Sequence, residues 1–434
     1  MTRVRAPFVA LFLSCPPLLA QTLSPAQPEE TGLSSARLGR LRASLRADVE
    51  AKKLPGAVAV VARKGRVAYF EAVGTRDPKS GAPMTKDTIF RMYSMTKPFV
   101  SVAAMMLVEE GRLALSDPLS KYLPAFSKMH VSEARTDSAT GNTTYEIVPA
   151  AREITIYDLL RHTSGLAYGA YTTNPPVKDA YARAGLFAPP PGRADYRALT
   201  PAQEVEQLAK APLAHQPGRA WEYGFSTDVL GRVIEVISGK RLGEFLDARI
   251  FKPLQMPDTA FWVPADRAGR LAQPFETDPA TGQPITLYEV LAPPKNDSGG
   301  AGAVSTASDY LRFCEMLLHG GELDGVRILS RSSVVLMTSD HLGKILEASP
   351  SSPGERMLRI PGYTFGLGFA VRREDGLAPV PGRAGAIGWG GASGTYFFID
   401  PQEELIGILL TQEPGSRVHD RTLFQQLVYG AIAD

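Results

Sequence analysis

A chain of 434 residues with 44% hydrophobic content can bury a large core, and its length implies two or more domains or one domain carrying a big insertion. Its 47 basic and 45 acidic side chains nearly cancel, so charge gives no reason to expect nucleic acid or an anionic membrane, and a neutral small molecule is the expected partner. The six histidines (130, 162, 215, 319, 341 and 419) lack ligand spacing and there is no CxxC pair or HExxH, so no metal or other cofactor is expected.

In chain order, Arg3 and Arg5 precede an apolar run from Phe8 to Ala20, which reads as a secretory signal cut after Ala20 and too short to span a membrane. That predicts a secreted or periplasmic protein, cytoplasmic if the signal is not real, with lipid anchoring at Cys15 as the one route to a membrane. Cleavage would remove two arginines and no acid, bring the formal charge from +2 to zero, and leave Cys314 without a disulfide partner. Ser35 to Lys53 carries leucines at 38, 41 and 45, a helical stripe, and GAVAVVARKGRVAYFEAVG reads as a hairpin of Val58–Ala62 and Val67–Val73. Helical patterns fill the middle: PFVSVAAMMLVEEG, TIYDLLRH, VLGRVIEVISG and DYLRFCEMLLHGG, the last holding Cys314 at core spacing. YTFGLGFAV, TYFFID and ELIGILLT read as three strands, and RTLFQQLVYGAIA as a closing helix. Strands at both ends predict one α/β domain from residues 30–98 and 302–434, with 99–301 as a mainly helical insertion. The polar stretches 131–152, 168–200 and 277–298 are expected to be irregular and to rim a site.

One stretch carries chemistry. In FRMYSMTKPFV, Pro98 is tolerated only in a first turn, which starts a helix within a residue or two of Ser94 and sets Ser94 and Lys97 on one face of its N-terminal end. A serine hydroxyl with a lysine beside it, near the free N–H groups of a helix start, suits acyl transfer. An S-x-x-K arises by chance about once in a chain this long, and such a serine is often an N-cap. This is the only S-x-x-K here, and no G-x-S-x-G competes with it.

FRMYSMTKPF resembles the first active-site motif of the β-lactamase-related serine hydrolases, which include class C β-lactamases, DD-peptidases and family VIII carboxylesterases. ITIYDLLRHTSGL, WEYGFSTDVLGRVIEVISG, GGAGAVSTASDYLRFCEMLLHGGELDG and GWGGASGTYFFIDPQEEL resemble further stretches of that family, in family order. The resemblance implies an α+β fold, an antiparallel sheet flanked by helices and built from both termini. It implies that Tyr223 takes the Ser94 proton, kept ready by a Lys97 ammonium, and that the N–H groups of Ser94 and Ala392 form the oxyanion hole. Phe225 stands where lactamases carry asparagine, and Trp389, Gly390 and Gly391 stand where they carry a cation-bearing triplet; all four are expected to line the substrate. His162 and Ser164 are expected to be structural, with Gly165 capping the preceding helix. The implied function is a serine esterase acting on neutral short- to medium-chain esters through a Ser94 acyl-enzyme, with weak β-lactam hydrolysis. A β-lactamase or DD-peptidase and a non-catalytic binding protein of the same fold are the rival readings.

Overall fold

The computed structural model describes residues 24–188, 195–345, 358 and 361–434, so the expected signal, with Cys15, lies outside the described residues. Ser34 opens helix α1 (Ser35–Glu50) by accepting the Arg37 N–H, and Leu38, Leu41 and Leu45 form its buried stripe. Strands β1 (Gly56–Arg63) and β2 (Arg66–Asp77) form the expected hairpin, with Lys64 and Gly65 both at positive φ in its tight turn. Then come the short β3 (Ala82–Pro83) and helices α2 (Lys97–Glu109), α3 (Ser226–Ser238) and α4 (Ala307–Leu318). The C-terminal part supplies β4 (Tyr363–Phe365), β5 (Ala370–Arg372), β6 (Ile387–Gly390), β7 (Tyr396–Asp400), β8 (Leu405–Thr411) and α5 (Arg417–Tyr429).

These strands make one antiparallel sheet in the order β4-β5-β6-β7-β8-β1-β2-β3. Pairing of β1 with β8, from Ala57 opposite Thr411 to Arg63 opposite Leu405, joins the two ends of the chain. Alternation along each strand sorts side chains into two layers: Ala57, Ala59 and Val61 pack with Leu405, Leu409 and the leucines of α1. Val58, Val60 and Ala62 face the larger core with Ile406, Ile408, Leu410 and Phe313 of α4. YTFGLGFAV is not one strand: Gly366 and Gly368 turn it back, so Phe365 pairs with Ala370, and Gly368 adopts φ 103°.

In the chain segment between the two halves of the sheet, α2 packs on α3 and is buried on every side from Lys97 to Leu107. Residues 131–152, expected to be irregular, contain a hairpin of His130–Thr136 and Thr143–Pro149. Only Val131 and Ser132 of its strands are buried, so no sustained hydrophobic alternation announces them; Asp137 accepts the Ala139 and Thr140 N–H groups in the connecting turn. The stretch 168–200 holds a helix at Pro175–Arg183, N-capped by Asn174. Residues 277–298 contain no helix, yet they bury Tyr288 and Val290.

Candidate active site

Ser94 sits in a single 3-10 turn, Tyr93–Thr96, that runs directly into α2, with Pro98 in the first α-helical turn. Tyr93 is held at φ 48°, a left-handed backbone costly for a bulky residue. Its ring stacks on Tyr288 at 4.9 Å and its hydroxyl accepts the Tyr288 N–H at 2.9 Å, contacts that fix this conformation. From α4, Tyr310 Oη donates to Met95 O at 3.1 Å and ties the next residue down. The serine is thereby held on rigid supports, with 9% of its surface open.

Lys97 is fully buried. Its Nζ lies 3.5 Å from Ser94 Oγ, 3.2 Å from Tyr168 Oη and 2.9 Å from Gly300 O. Burial pushes the ammonium down to about 8, against the opposing charge of Asp228. Tyr168 Oη donates to Asp228 Oδ2 at 3.1 Å, while Asp228 Oδ1 accepts the Ser298 hydroxyl at 2.6 Å and the Gly300 N–H at 2.9 Å. Burial raises the Asp228 carboxyl above the usual carboxylate range, and the Lys97 charge holds it back.

Tyr223 is also fully buried, with Lys97 Nζ 4.5 Å from its ring centroid. Its oxygen accepts the Trp389 indole N–H at 3.1 Å. Burial moves the phenol well above its ordinary value, and hydrogen bonds from Ser94 and Trp389 act the other way. Past Gly390, Ser393 Oγ donates to Arg91 O at 3.0 Å and Thr395 Oγ1 to Met92 O at 3.2 Å. A Cβ on Gly391 would overlap Met92 O. These contacts press the turn carrying the half-buried Ala392 against the residues that lead into Ser94.

Ser94, Lys97, Tyr223 and Trp389 thus come together from three distant stretches. Phe225 stands behind them, buried edge-on to Tyr168 at 4.7 Å and to Tyr181 at 5.7 Å. His162, rather than Gly165, takes the left-handed position just after the helix Ile156–Leu160, at φ 57°. Its ring lies 4.9 Å from that of Tyr223, and burial with the Lys97 charge keeps it neutral. Ser164 hydrogen-bonds Ser226. Sequence reasoning missed Tyr168 and Asp228: the one follows the HTSGL stretch by two residues, the other lies in the first turn of α3. It also missed that Asp48, His419 and Asp420 bring ligand atoms within 4.8 Å of one another across α1 and α5.

A serine hydroxyl, a desolvated amine and a buried phenol in one cluster can move a proton off the serine and return it to a leaving group, the chemistry of acyl transfer. Comparison with known proteins agrees in kind. Residues 41–430 match the family model described as "Beta-lactamase". Esterase EstB of Burkholderia gladioli is 32% identical over 409 residues, covering 90% of this chain and 94% of its own. An uncharacterized protein of Mycobacterium tuberculosis is 38% identical over 384 residues, covering 86% of this chain and 89% of its own. Among solved structures, EstCE1, "a hydrolase with promiscuous acyltransferase activity", superposes with a TM-score of 0.72 at 28% identity, covering 92% of this chain and 99% of its own. The chain belongs to the β-lactamase family, in the company of esterases that share its fold.

Proposed function

We propose that the protein is a serine esterase that hydrolyses short- to medium-chain carboxylic esters through an acyl-enzyme on Ser94. The observation that carries this reading is the cluster in which Ser94 Oγ lies 3.5 Å from a buried Lys97 Nζ, beside a Tyr223 phenol held by the Trp389 N–H. The names of EstB and EstCE1 support the same reaction class.

The surroundings of Lys97 and Tyr223 support the amine, and not the phenol, as the group that takes the Ser94 proton. Burial lowers Lys97 to about 8 and raises Tyr223, so the phenol keeps its proton while the lysine is neutral in a minor fraction of molecules at neutral pH and mainly neutral once the pH passes about 8. A neutral amine can donate to Gly300 O and Tyr168 Oη and turn its lone pair to Ser94 Oγ. In acylation the Ser94 proton passes to Lys97 as Oγ bonds to the ester carbonyl carbon. The tetrahedral oxyanion is held by the N–H groups of Ser94 and Ala392. As the bond to the alcohol breaks, Tyr223 gives its proton to the departing oxygen and becomes a phenolate, stabilised by the Trp389 N–H and the Lys97 ammonium. In deacylation a water gives its proton to that phenolate as its oxygen attacks the acyl carbon. Ser94 Oγ then leaves and recovers its proton from Lys97, which restores the starting state.

Trp389 cannot form an ion pair, so residue 389 offers no anchor for the anionic group of a β-lactam. The test is a chain-length series of p-nitrophenyl esters assayed beside nitrocefin. Esters should turn over faster, and Ser94→Ala should lose activity by about ten-thousand-fold with its circular dichroism unchanged. A folded Ser94→Ala protein working at the wild-type rate would sink the assignment. Nitrocefin outpacing every ester would favour a β-lactamase.

A further inference from the structure

Asp48, His419 and Asp420 take no part in the chemistry at Ser94. Among the described residues they are the one group of three metal-ligating side chains whose ligand atoms all lie within 4.8 Å of one another. Asp48 lies in the last turn of α1, and His419 and Asp420 lie in the first turn of α5. The two helices pack together over the same face of the sheet, where Leu41 and Leu45 share an apolar layer with Phe424 and Val428. The cluster thus stands at the seam where the first long helix meets the last.

Its charges are poorly matched. An acid in the last turn of a helix faces the negative end of the helix dipole. Asp48 is held there with Lys53 as its ion-pair partner at 3.4 Å, and that lysine side chain is 62% exposed, so solvent screens the pair. Asp420 is only 6% exposed. Its Oδ2 accepts the Ser416 hydroxyl at 2.5 Å, while among the described residues its Oδ1 accepts no hydrogen bond and the carboxylate forms no ion pair. Burial raises the Asp420 carboxyl above the usual carboxylate range; the Asp48 charge adds to this, and the Ser416 hydroxyl, His419 and Arg421 act the other way. His419 is exposed. A buried acid with an idle oxygen, a second acid set against a helix dipole and an imidazole open to solvent all gain from one divalent cation placed between them.

We propose that Asp48, His419 and Asp420 bind one divalent transition-metal ion, Zn²⁺, which staples α1 to α5. One imidazole and two carboxylates suit an ion of intermediate softness, whereas Mg²⁺ and Ca²⁺ take oxygen donors. The two positive charges of the ion cancel the two carboxylates. Ligand atoms around a tetrahedral Zn²⁺ stand about 3.3 Å apart, so a triangle within 4.8 Å closes on the ion by small side-chain rotations, with water as the fourth ligand on the open side of His419. The Ser94 centre contributes nothing to this site, so the proposal stands apart from the esterase reading.

The test uses the full chain, freed of metal with EDTA, dialysed, and titrated with zinc chloride by calorimetry beside thermal melts. One ion should bind with a Kd of about 1–100 μM. Zinc at about tenfold over that value should raise the Tm by about 1–3 °C, and magnesium at the same concentration should not. His419→Ala and Asp48→Asn should each weaken binding at least about tenfold and remove the rise in Tm. His319→Ala, at another half-exposed histidine, should leave both unchanged. Binding that survives His419→Ala and Asp48→Asn, or a Kd weaker than about 1 mM, overturns the site. Anomalous diffraction at the zinc edge gives the direct reading: a peak among the three side chains upholds the proposal, and peaks only at other residues overturn it.

Discussion

One nitrogen, Lys97 Nζ, stands among three oxygens, and its protonation sets how activity must vary with pH. With the neutral amine as base, kcat/KM should rise with pH along a limb near 8, the value to which burial lowers Lys97, as the ammonium gives up its proton. A profile falling through that range would mark the ammonium as the active form. Asp228 favours the charged lysine, so Asp228→Asn should move the rising limb to lower pH, and a limb that stays in place would remove Asp228 from the electrostatics of the base. Ser94 and Lys97 were legible in the sequence because a helix puts residues three apart on one face. Tyr168 and Asp228 were not, because their partnership is made across the fold: nothing local distinguishes a tyrosine after a loop or an aspartate in a first helical turn.

At the scale of elements, the turn after β6 is the part with least room. Gly391→Ala would drive a methyl into Met92 O and Thr395 Oγ1 and push Ala392 away from the Ser94 turn. It should destabilise the fold by about 1–3 kcal/mol and lower kcat more than it raises KM, read from thermal melts and ester kinetics together. An active, equally stable Gly391→Ala protein would detach this turn from the oxyanion. Long buried strands such as β1 and β8 were plain in the sequence because their apolar runs are bounded by turn residues. The shorter pieces were hidden by backbone effects: two glycines fold YTFGLGFAV into a hairpin, and Thr143–Pro149 pairs with hardly a buried side chain to announce it. His162 shows the same limit: it and Gly165 both have positive φ, but it is His162 that directly follows the helix cap, the place Gly165 was expected to fill.

The whole molecule closes its sheet by pairing β1 with β8, and the Ser94 turn stands where that sheet meets the segment between its halves. Residues 94–97, 168, 223–228, 298–300 and 389–392 converge there from five stretches of the chain, so that a small motif becomes a site only once the two ends have met. The overall architecture was legible because strands at both termini leave few other ways to bury their faces. The convergence on Lys97 was not, because it depends on packing between segments far apart in sequence. The central claim is a covalent acyl intermediate on Ser94, and trapping it is the most direct measurement. Acid-quenched protein from a p-nitrophenyl butyrate reaction, or protein treated with a fluorophosphonate, should gain the mass of one acyl or phosphonyl group, located by peptide mapping on Ser94 and absent from Ser94→Ala. Modification at another residue, or ester turnover with no adduct on Ser94 under either reagent, would contradict the account.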